Sequence, residues 1–165
     1  MVWLKGILIV LALLVLLVLL VLAAGQLGWL RGPAPSRLGL QEGGRLKPPS
    51  KTPNSVSSQA DLWPDHPQRD YARIAPLPAA GDADAAWARL RAQVDSMRGA
   101  RVVQAEGDYL YVQFRTRWLG FTDDAEFWLD RRAGLIQLRS SSRLGRKDYG
   151  VNRARIEALR ARLAA

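Results

Sequence analysis

Cysteine is absent from the 165-residue chain, and histidine occurs once. The absence of thiols excludes disulfides, thiolate metal ligands, a cysteine nucleophile and a lipid attached through an N-terminal cysteine. The single histidine, His66, lies between Asp65 and Pro67 in the loop-forming stretch WPDHP. A lone loop histidine is more often exposed than catalytic, because general-base work needs a partner that holds the ring. We therefore expect no cofactor, and an enzyme is less favoured than a non-enzymatic domain.

Acidic residues are the minority among the charged side chains. The chain has 15 Asp and Glu against 24 Lys and Arg, for a formal net charge of +9 at pH 7. Such a surplus attracts anions of any kind, whether phospholipid head groups, nucleic acid or acidic partners. Charge alone does not choose among these partners.

One long hydrophobic run lies near the N-terminus. Residues 7–24 read ILIVLALLVLLVLLVLAA, and at about 1.5 Å per residue they nearly cover the hydrocarbon layer of a bilayer. Trp3 and Trp29 flank the run, as expected for aromatic belts. A cleaved signal peptide is the alternative, with a cleavage site at residues 23–25, but the run exceeds the usual apolar region of such peptides. We predict that residues 1–30 form a retained, single-pass anchor.

Positive charges lie on both sides of this run. Lys5 and the α-amino group precede it, and Arg31 and Arg37 follow it. The charge count alone slightly favours a cytoplasmic C-terminus. A short basic tail before a leucine-rich segment is also the layout of an export signal, which favours the opposite side.

Proline, glycine and serine dominate residues 31–59, which show no apolar periodicity. This composition predicts a linker, whose later part around Pro53 could pack against the domain. Residues 60–165 then leave room for one folded domain of about a hundred residues.

The predicted domain alternates between helical and extended patterns. A short edge strand is predicted at residues 73–75, ended by prolines. Helical spacing predicts a helix at 82–98, with Asp82 or Asp84 as N-cap. Further patterns predict strands at 101–106, 109–118, 121–130 and 135–143, and a helix at 150–163. These elements predict an α+β domain with two layers, in which two helices pack a mainly antiparallel sheet of about four to five strands.

The stretch FTDDAEFWLD, residues 121–130, carries three acidic side chains in one predicted strand. Matching the apolar faces through a two-residue turn at residues 119–120 places Thr116 opposite Asp123, and the next turn places Glu126 opposite Arg139. Asp123 and Asp124 then point to opposite faces and cannot jointly bind a metal, so no metal site is predicted. The outer face is expected to carry a structural charge ladder, solvated or partly covered, made of Arg115, Asp124, Glu126 and Arg139.

Asp123 is expected on the inner face, where an ionised carboxylate is costly unless it is hydrogen-bonded. It could hold the loop after the last strand, or it could belong to a small polar pocket. Asn152 fits a pocket because it occupies the apolar stripe of the last helix, although it could also be an N-cap. The candidate set for an anionic ligand is Asp123, Arg139, Ser142, Arg143, Asn152 and Arg155.

Four stretches resemble a known family: PNSVSSQ at 53–59, IAPL at 74–77, FTDDAEFWLD at 121–130 and RSSSRLGRKDYGVNRARIEALR at 139–160. They resemble the bacterial and plastid family catalogued as domain of unknown function 1499, except that Ser55 stands where the family commonly has cysteine. The resemblance implies an uncharacterised domain, often attached to a membrane or carried behind an export signal, without an established reaction or cofactor. On this resemblance we expect a bacterial inner-membrane protein with a periplasmic domain.

The leading hypothesis is a membrane-tethered, non-enzymatic accessory or interaction domain of the cell envelope, partnered by anionic lipid or an envelope protein. The first alternative is a binder of an anionic ligand or lipid head group through the arginine-rich site. The second is a hydrolase that uses Asp123 or Asp124 as acid or base. Nucleic acid is not expected, because the strand aromatics match no stacking motif and a membrane span argues against it.

Overall fold

The computed structural model describes residues 2–79 and 81–164. The helices are α1 (Val2–Gln26), α2 (Arg69–Ala72), α3 (Ala83–Asp95) and α4 (Val151–Ala164). The strands are β1 (Ser55–Ser57), β2 (Leu77–Pro78), β3 (Ala100–Glu106), β4 (Tyr109–Arg115), β5 (Thr122–Asp130) and β6 (Leu135–Ser142). The predicted α+β class is confirmed, and the long elements lie close to their predicted positions.

The strands form one antiparallel sheet with the order β1-β6-β5-β4-β3, and β2 also pairs with β6. Strands β1 and β2 therefore follow one another along the same edge of β6. The edge strand predicted at residues 73–75 is reduced to an isolated parallel bridge between Arg73 and Ser57, and the edge strand itself is β2, a few residues later. Arg160 donates to the carbonyl oxygens of Ala75 (2.7 Å) and Pro76 (2.8 Å), so these groups are taken by a side chain instead of a strand.

The β5–β6 register is as predicted, with Glu126 opposite Arg139. The predicted β4–β5 register is wrong by two residues, since Phe114 lies opposite Asp123 where Thr116 was expected. A shift of two leaves each side chain on its predicted face, because the side-chain period of a strand is two. Asp123 therefore still points toward the helices.

The loop between β4 and β5 explains this shift. The backbone N–H of Thr116 donates to the Phe121 carbonyl oxygen (2.9 Å), which leaves residues 117–120 as the turn. Gly120 adopts a φ of 65°, in the left-handed region that favours glycine. The turn is therefore longer than the two-residue turn predicted at 119–120.

The inner face of the sheet packs against α3 and α4. Asp82 caps α3 as predicted, since its side chain accepts from the backbone N–H groups of Asp84 and Ala85. The main core includes Trp87, Leu90, Val94, Val112, Phe114, Ala125, Phe127, Leu138, Ile156 and Leu159. Each large apolar side chain buried here contributes about 1.5–3 kcal/mol of transfer free energy.

Residues 33–50, here called the strap, lie across the outer face of the sheet. The backbone N–H of Gly39 donates to Glu126 Oε1 (2.9 Å). A second, smaller core lies beneath the strap and contains Leu38, Leu46, Tyr109, Tyr111 and Trp128. Much of the segment predicted as a linker is therefore packed, because the aromatic side chains of the outer face need a cover. The boundaries of the anchor (1–30), linker (31–59) and domain (60–165) stay predictions.

Helix α1 is the one helix in residues 2–79 and 81–164 that is long and apolar enough to cross a membrane. Its apolar window within Trp3–Gln26 has a mean hydropathy of 3.6, and 0% of that window is buried in the protein. A single apolar helix of spanning length near the N-terminus agrees with the predicted anchor in length and composition.

The last turn of α1 contacts the loop between β4 and β5. Arg115 Nη2 donates to the carbonyl oxygens of Gly25 and Gln26, at 3.0 Å each. Gln26 Nε2 donates to the carbonyl oxygens of Arg117 and Trp118, at 2.8 Å each. Gly25 is buried at this contact, and a Cβ atom there would collide with the loop backbone. We call these contacts the clasp, and they join α1 directly to the domain.

Candidate functional site

Asp123 faces the helices at the start of β5, where an arginine of α4 binds it. Arg155 Nη2 donates to Asp123 Oδ2 (2.6 Å), and both side chains are about nine-tenths buried. Arg155 Nη1 also donates to Asn152 Oδ1 (2.8 Å) and Ser140 Oγ (3.2 Å). The Arg155 guanidinium lies 4.5 Å from the centroid of the Phe114 ring. This charged hydrogen bond offsets the desolvation of the carboxylate, so Asp123 holds α4 against the sheet.

Asn152 is fully buried at the centre of this inner network. Its Oδ1 accepts from Ser140 Oγ (2.6 Å). Its Nδ2 donates to the Asn54 carbonyl oxygen (3.2 Å), Ser142 Oγ (2.9 Å) and Asp148 Oδ2 (2.9 Å). Asn152 lies inside α4, so the alternative role as its N-cap is wrong. Its amide instead joins the segment just before β1, the end of β6 and the start of α4.

Asp148 caps the start of α4, although it was not among the predicted site residues. Its carboxylate accepts from the backbone N–H groups of Gly150 (3.1 Å) and Asn152 (3.2 Å), and from the hydroxyl of Tyr71. Burial acts to raise the pKa of Asp148, but these hydrogen bonds outweigh burial and hold the pKa below its ordinary value. Burial and the nearby carboxylate raise the pKa of Tyr71. An aspartate just before the predicted helix start is the signal that could have found this residue.

These hydrogen bonds predict that the stability of the folded protein falls in acid as Asp148 becomes protonated. Because its pKa in the folded protein lies below its ordinary value of 3.8, its stabilisation is complete above about pH 5 and is lost as pH falls through the folded-state pKa. At neutral pH, Asp148→Asn should lose about 1–3 kcal/mol of stability. Melting temperatures of mutant and wild type should begin to converge below about pH 5 and should meet only once the pH has fallen below the lowered folded-state pKa of Asp148. Asp95→Asn, at an exposed position on α3, is the control, and parallel curves for Asp148→Asn and wild type would contradict this role.

The outer face carries a second polar network beneath the strap. Arg143 donates through Nε and Nη2 to the two carboxylate oxygens of Asp124, at 2.8 Å each. The Tyr111 hydroxyl donates to Asp124 Oδ1 (2.6 Å). Burial, together with the bond to Asp124, raises the pKa of Tyr111, and the same carboxylate raises the pKa of Arg143. Arg143 is therefore held on the outer face, on the side of the sheet opposite Asp123.

Glu126 and Arg139 form a less completely bonded pair in the outer network. Glu126 is 0% exposed, and its Oε1 accepts from Gly39 N and from the Tyr109 hydroxyl (2.8 Å). Glu126 Oε2 has no hydrogen-bond partner in the described residues, and Arg139 Nη1 lies 3.7 Å from it. Arg139 Nε donates to the Pro48 carbonyl oxygen (3.1 Å), while burial lowers the pKa of Arg139 against the opposing effect of Glu126. The ladder expected to be solvated or partly covered is thus buried, because the strap covers it.

The residues predicted as one ligand-binding set fall on two faces of the sheet. The inner face holds Asp123, Ser142, Asn152 and Arg155, and the outer face holds Arg139 and Arg143. Alternation along β6 explains the split, because residues 140 and 142 point inward when 139, 141 and 143 point outward. Arg115 was predicted to belong to the charge ladder, but its side chain donates to the carbonyl oxygen of Gly25 and is part of the clasp. A ligand-binding role for this set stays a prediction.

An open groove of about 860 Å³ lies beside the inner network, between the ends of α3, β4 and α4. Its arginines are Arg98, Arg115, Arg117 and Arg155, and its large apolar side chains are Met97, Phe114, Trp118 and Val151. The described residues place no acidic side chain in the lining. Arginine forks beside an apolar surface suit phosphate or carboxylate groups. Arg98 and Arg117 were not among the predicted site residues, because they come from separate segments of the chain and no local motif marks them.

A family model described as Protein of unknown function (DUF1499) matches residues 45–163. The match begins within the strap and ends near the end of α4, so it includes every side chain of the two polar networks and the lining of the groove. Searches of the curated proteins and of the solved structures found no match. The chain therefore belongs to the DUF1499 family.

Proposed function

We propose that the protein is a membrane-tethered, non-enzymatic binding domain of the cell envelope, and that the groove binds the anionic head group of a lipid. The observation that carries this proposal is the lining of the groove. It presents four arginines and, among the described residues, no acidic side chain, and it shares Arg115 with the clasp. The positive groove therefore opens beside the point where α1 meets the domain.

Arg98 and Arg117 supply the charge available to a ligand. Arg155 is balanced by Asp123, and Arg115 is engaged with the carbonyl oxygens at the end of α1. Arg98 is exposed and has no salt bridge in the described part of the chain, and the Arg117 guanidinium lies 4.8 Å from the Trp118 ring centroid. Two such forks can donate several hydrogen bonds to one phosphate group.

The apolar part of the lining favours a lipid over a free anion. Trp118 and Val151, which are both exposed, lie beside the guanidinium groups and offer a surface for the glycerol and the first methylene groups of a lipid. Attachment to a bilayer keeps head groups close to the groove, which raises the effective ligand concentration. Asp123 and Asp124 point to opposite faces, and an arginine holds each of them, so no arrangement here favours the alternative hydrolase.

We further propose that the anchor lies in a bacterial inner membrane and that the domain is on the periplasmic side. Retention of α1 is supported by the clasp, because its last turn is used as a contact surface of the domain. The periplasmic side is supported by the family resemblance and by the export-signal layout of the N-terminus.

Binding is tested by thermal unfolding of the full-length protein in a non-ionic detergent. We expect short-chain phosphatidylglycerol to raise the melting temperature and short-chain phosphatidylcholine to leave it unchanged. A ligand at 100 times its Kd stabilises the folded state by about 2.7 kcal/mol. The rise should shrink with added salt, because surface charges are screened. Inorganic phosphate forms a third arm, and an equal rise with phosphate would identify a free anion as the ligand and reject the lipid.

The double variant Arg98→Gln/Arg117→Gln should lose the phosphatidylglycerol effect. Arg89→Gln/Arg91→Gln is the matched control, because both arginines are exposed on α3 and lie outside the groove lining. An unchanged rise in the Arg98/Arg117 variant, or an equal loss in the control, would reject the groove as the binding site.

A further inference from the structure

If α1 spans a bilayer as proposed above, the end of the helix sets how deep the neighbouring loop lies in that bilayer. Gln26 lies two residues beyond the apolar run 7–24, which is about 3 Å along the helix axis. A head-group layer is about 5–8 Å thick on each side of the hydrocarbon core. Because Gln26 donates directly to the Trp118 carbonyl oxygen (2.8 Å), the loop between β4 and β5 lies at head-group depth.

Exposed apolar side chains cluster around this point. We define the exit patch as Leu27, Trp29, Trp118, Phe121 and Leu144, all of which are exposed. Trp118 is 62% exposed. This exposure is unfavourable in water, because tryptophan has a large apolar ring that is normally buried. Leu144 packs closely against Gly32, three residues after Trp29. A Cβ atom added to Gly32 would lie only 2.9 Å from Leu144 Cγ.

The clasp removes the freedom that a flexible tether would give. The last carbonyl groups of a helix lack partners within the helix and carry its partial negative charge. Arg115 binds two of these groups, and close packing at Gly25 and Gly120 leaves no space for side chains between helix and loop. The domain therefore keeps one orientation relative to α1.

We propose that the exit patch is a membrane-contact surface, which the clasp seats in the lipid head-group layer. Trp118 and Phe121 insert their rings at the interface, where tryptophan is favoured, and Arg117 meets the phosphates. This inference goes beyond head-group binding in the groove, and it rests only on the membrane anchor of the proposed function.

The absence of cysteine allows a direct test with the full-length protein in proteoliposomes. Trp118→Cys and Leu144→Cys are each labelled with an environment-sensitive nitrobenzoxadiazole dye, and nitroxide lipids are added as quenchers. Leu62→Cys and Val103→Cys are the controls, because these side chains are 48% and 47% exposed and lie outside the exit patch. We expect blue-shifted emission and several-fold stronger quenching at 118 and 144 than at 62 and 103.

Equal quenching at all four positions would overturn the contact surface. Adding Arg115→Gln to the labelled Trp118→Cys variant should reduce quenching, and unchanged quenching would overturn the seating by the clasp. Extraction of the proteoliposomes at alkaline pH separates the two proposals. If the protein stays in the membrane fraction but the label at position 118 is exposed to water, the contact surface is rejected and the membrane tether stands. If the protein is released into the supernatant, the membrane tether is rejected as well.

Discussion

Replacing Arg139 with methionine is expected to destabilise the domain by about 3–5 kcal/mol, because a buried carboxylate then loses its cation. Glu126 is 0% exposed, and Arg139 Nη1 faces its Oε2 at 3.7 Å. Methionine is flexible and apolar and fills most of the space of the arginine stem, so the loss is mainly electrostatic. Denaturant unfolding of the full-length protein in mild detergent, followed by tryptophan fluorescence, measures the change.

A second change at Glu126 separates charge from packing. In Glu126→Gln/Arg139→Met both charges are gone, and glutamine keeps an oxygen for the hydrogen bonds from Gly39 and Tyr109. We expect the double variant to recover most of the stability lost in Arg139→Met. Arg132→Met, in the exposed turn between β5 and β6, is the control and should stay within about 0.5 kcal/mol of wild type.

The size of the Arg139→Met effect discriminates between two views of the outer face. A loss below about 1 kcal/mol is what a solvated surface pair would show. Such a result would contradict the burial of this pair beneath the strap.

Asn152→Ala is expected to lower stability by about 3–5 kcal/mol, because it leaves several buried polar groups without partners at once. The amide of Asn152 bonds to Ser140, Ser142, Asp148, Arg155 and the Asn54 backbone. In a domain of this size the change corresponds to a fall of more than about 12 °C in melting temperature. Circular dichroism during heating measures it.

Glu157→Ala is the matched control for this substitution. Glu157 lies on the exposed side of α4, and its bond to Arg160 is a surface ion pair, so its removal should cost less than about 1 kcal/mol. An Asn152→Ala variant as mild as Glu157→Ala would show that water satisfies the inner network. The network residues would then be free to hold a ligand instead of locking the helix entry.

The register of β5 and β6 was predictable because one face of each strand is apolar and the turn between them is short. The register of β4 and β5 was predicted two residues away from the observed one. Matching the apolar faces cannot detect a shift of two, because such a shift leaves every side chain on the same face, so the length of the turn at 117–120 determines the register. Asp123 was placed on the correct face for the same reason. Its partner Arg155 could be shortlisted, but no pattern along one strand identifies a contact with a helix.

The strap was not predictable because its apolar residues have no period. Between Leu38 and Leu46 the chain reads GLQEGGR, in which Leu40 is the one large apolar side chain and three glycines disfavour a regular helix or strand. The pattern of the strands alone therefore predicts that Asp124 and Glu126 lie on an exposed face. In the folded protein the strap covers that face, and both carboxylates are buried. The groove was missed for a similar reason, because Arg98 and Arg117 come from different segments that only the folded chain brings together.

The strap also determines the order in which the protein can assemble. Its contacts with the sheet join residues far apart in the chain, 87 positions between Gly39 and Glu126 and 91 between Pro48 and Arg139. The strap leaves the ribosome long before β5 and β6 exist, and contacts of such separation form late because chain closure must come first. We therefore expect the charged outer face to stay hydrated until the C-terminal strands pair. The last step of folding would then be the closure of the N-terminal segment over strands made after it, and in the proposed membrane-tethered state this step takes place at the membrane surface.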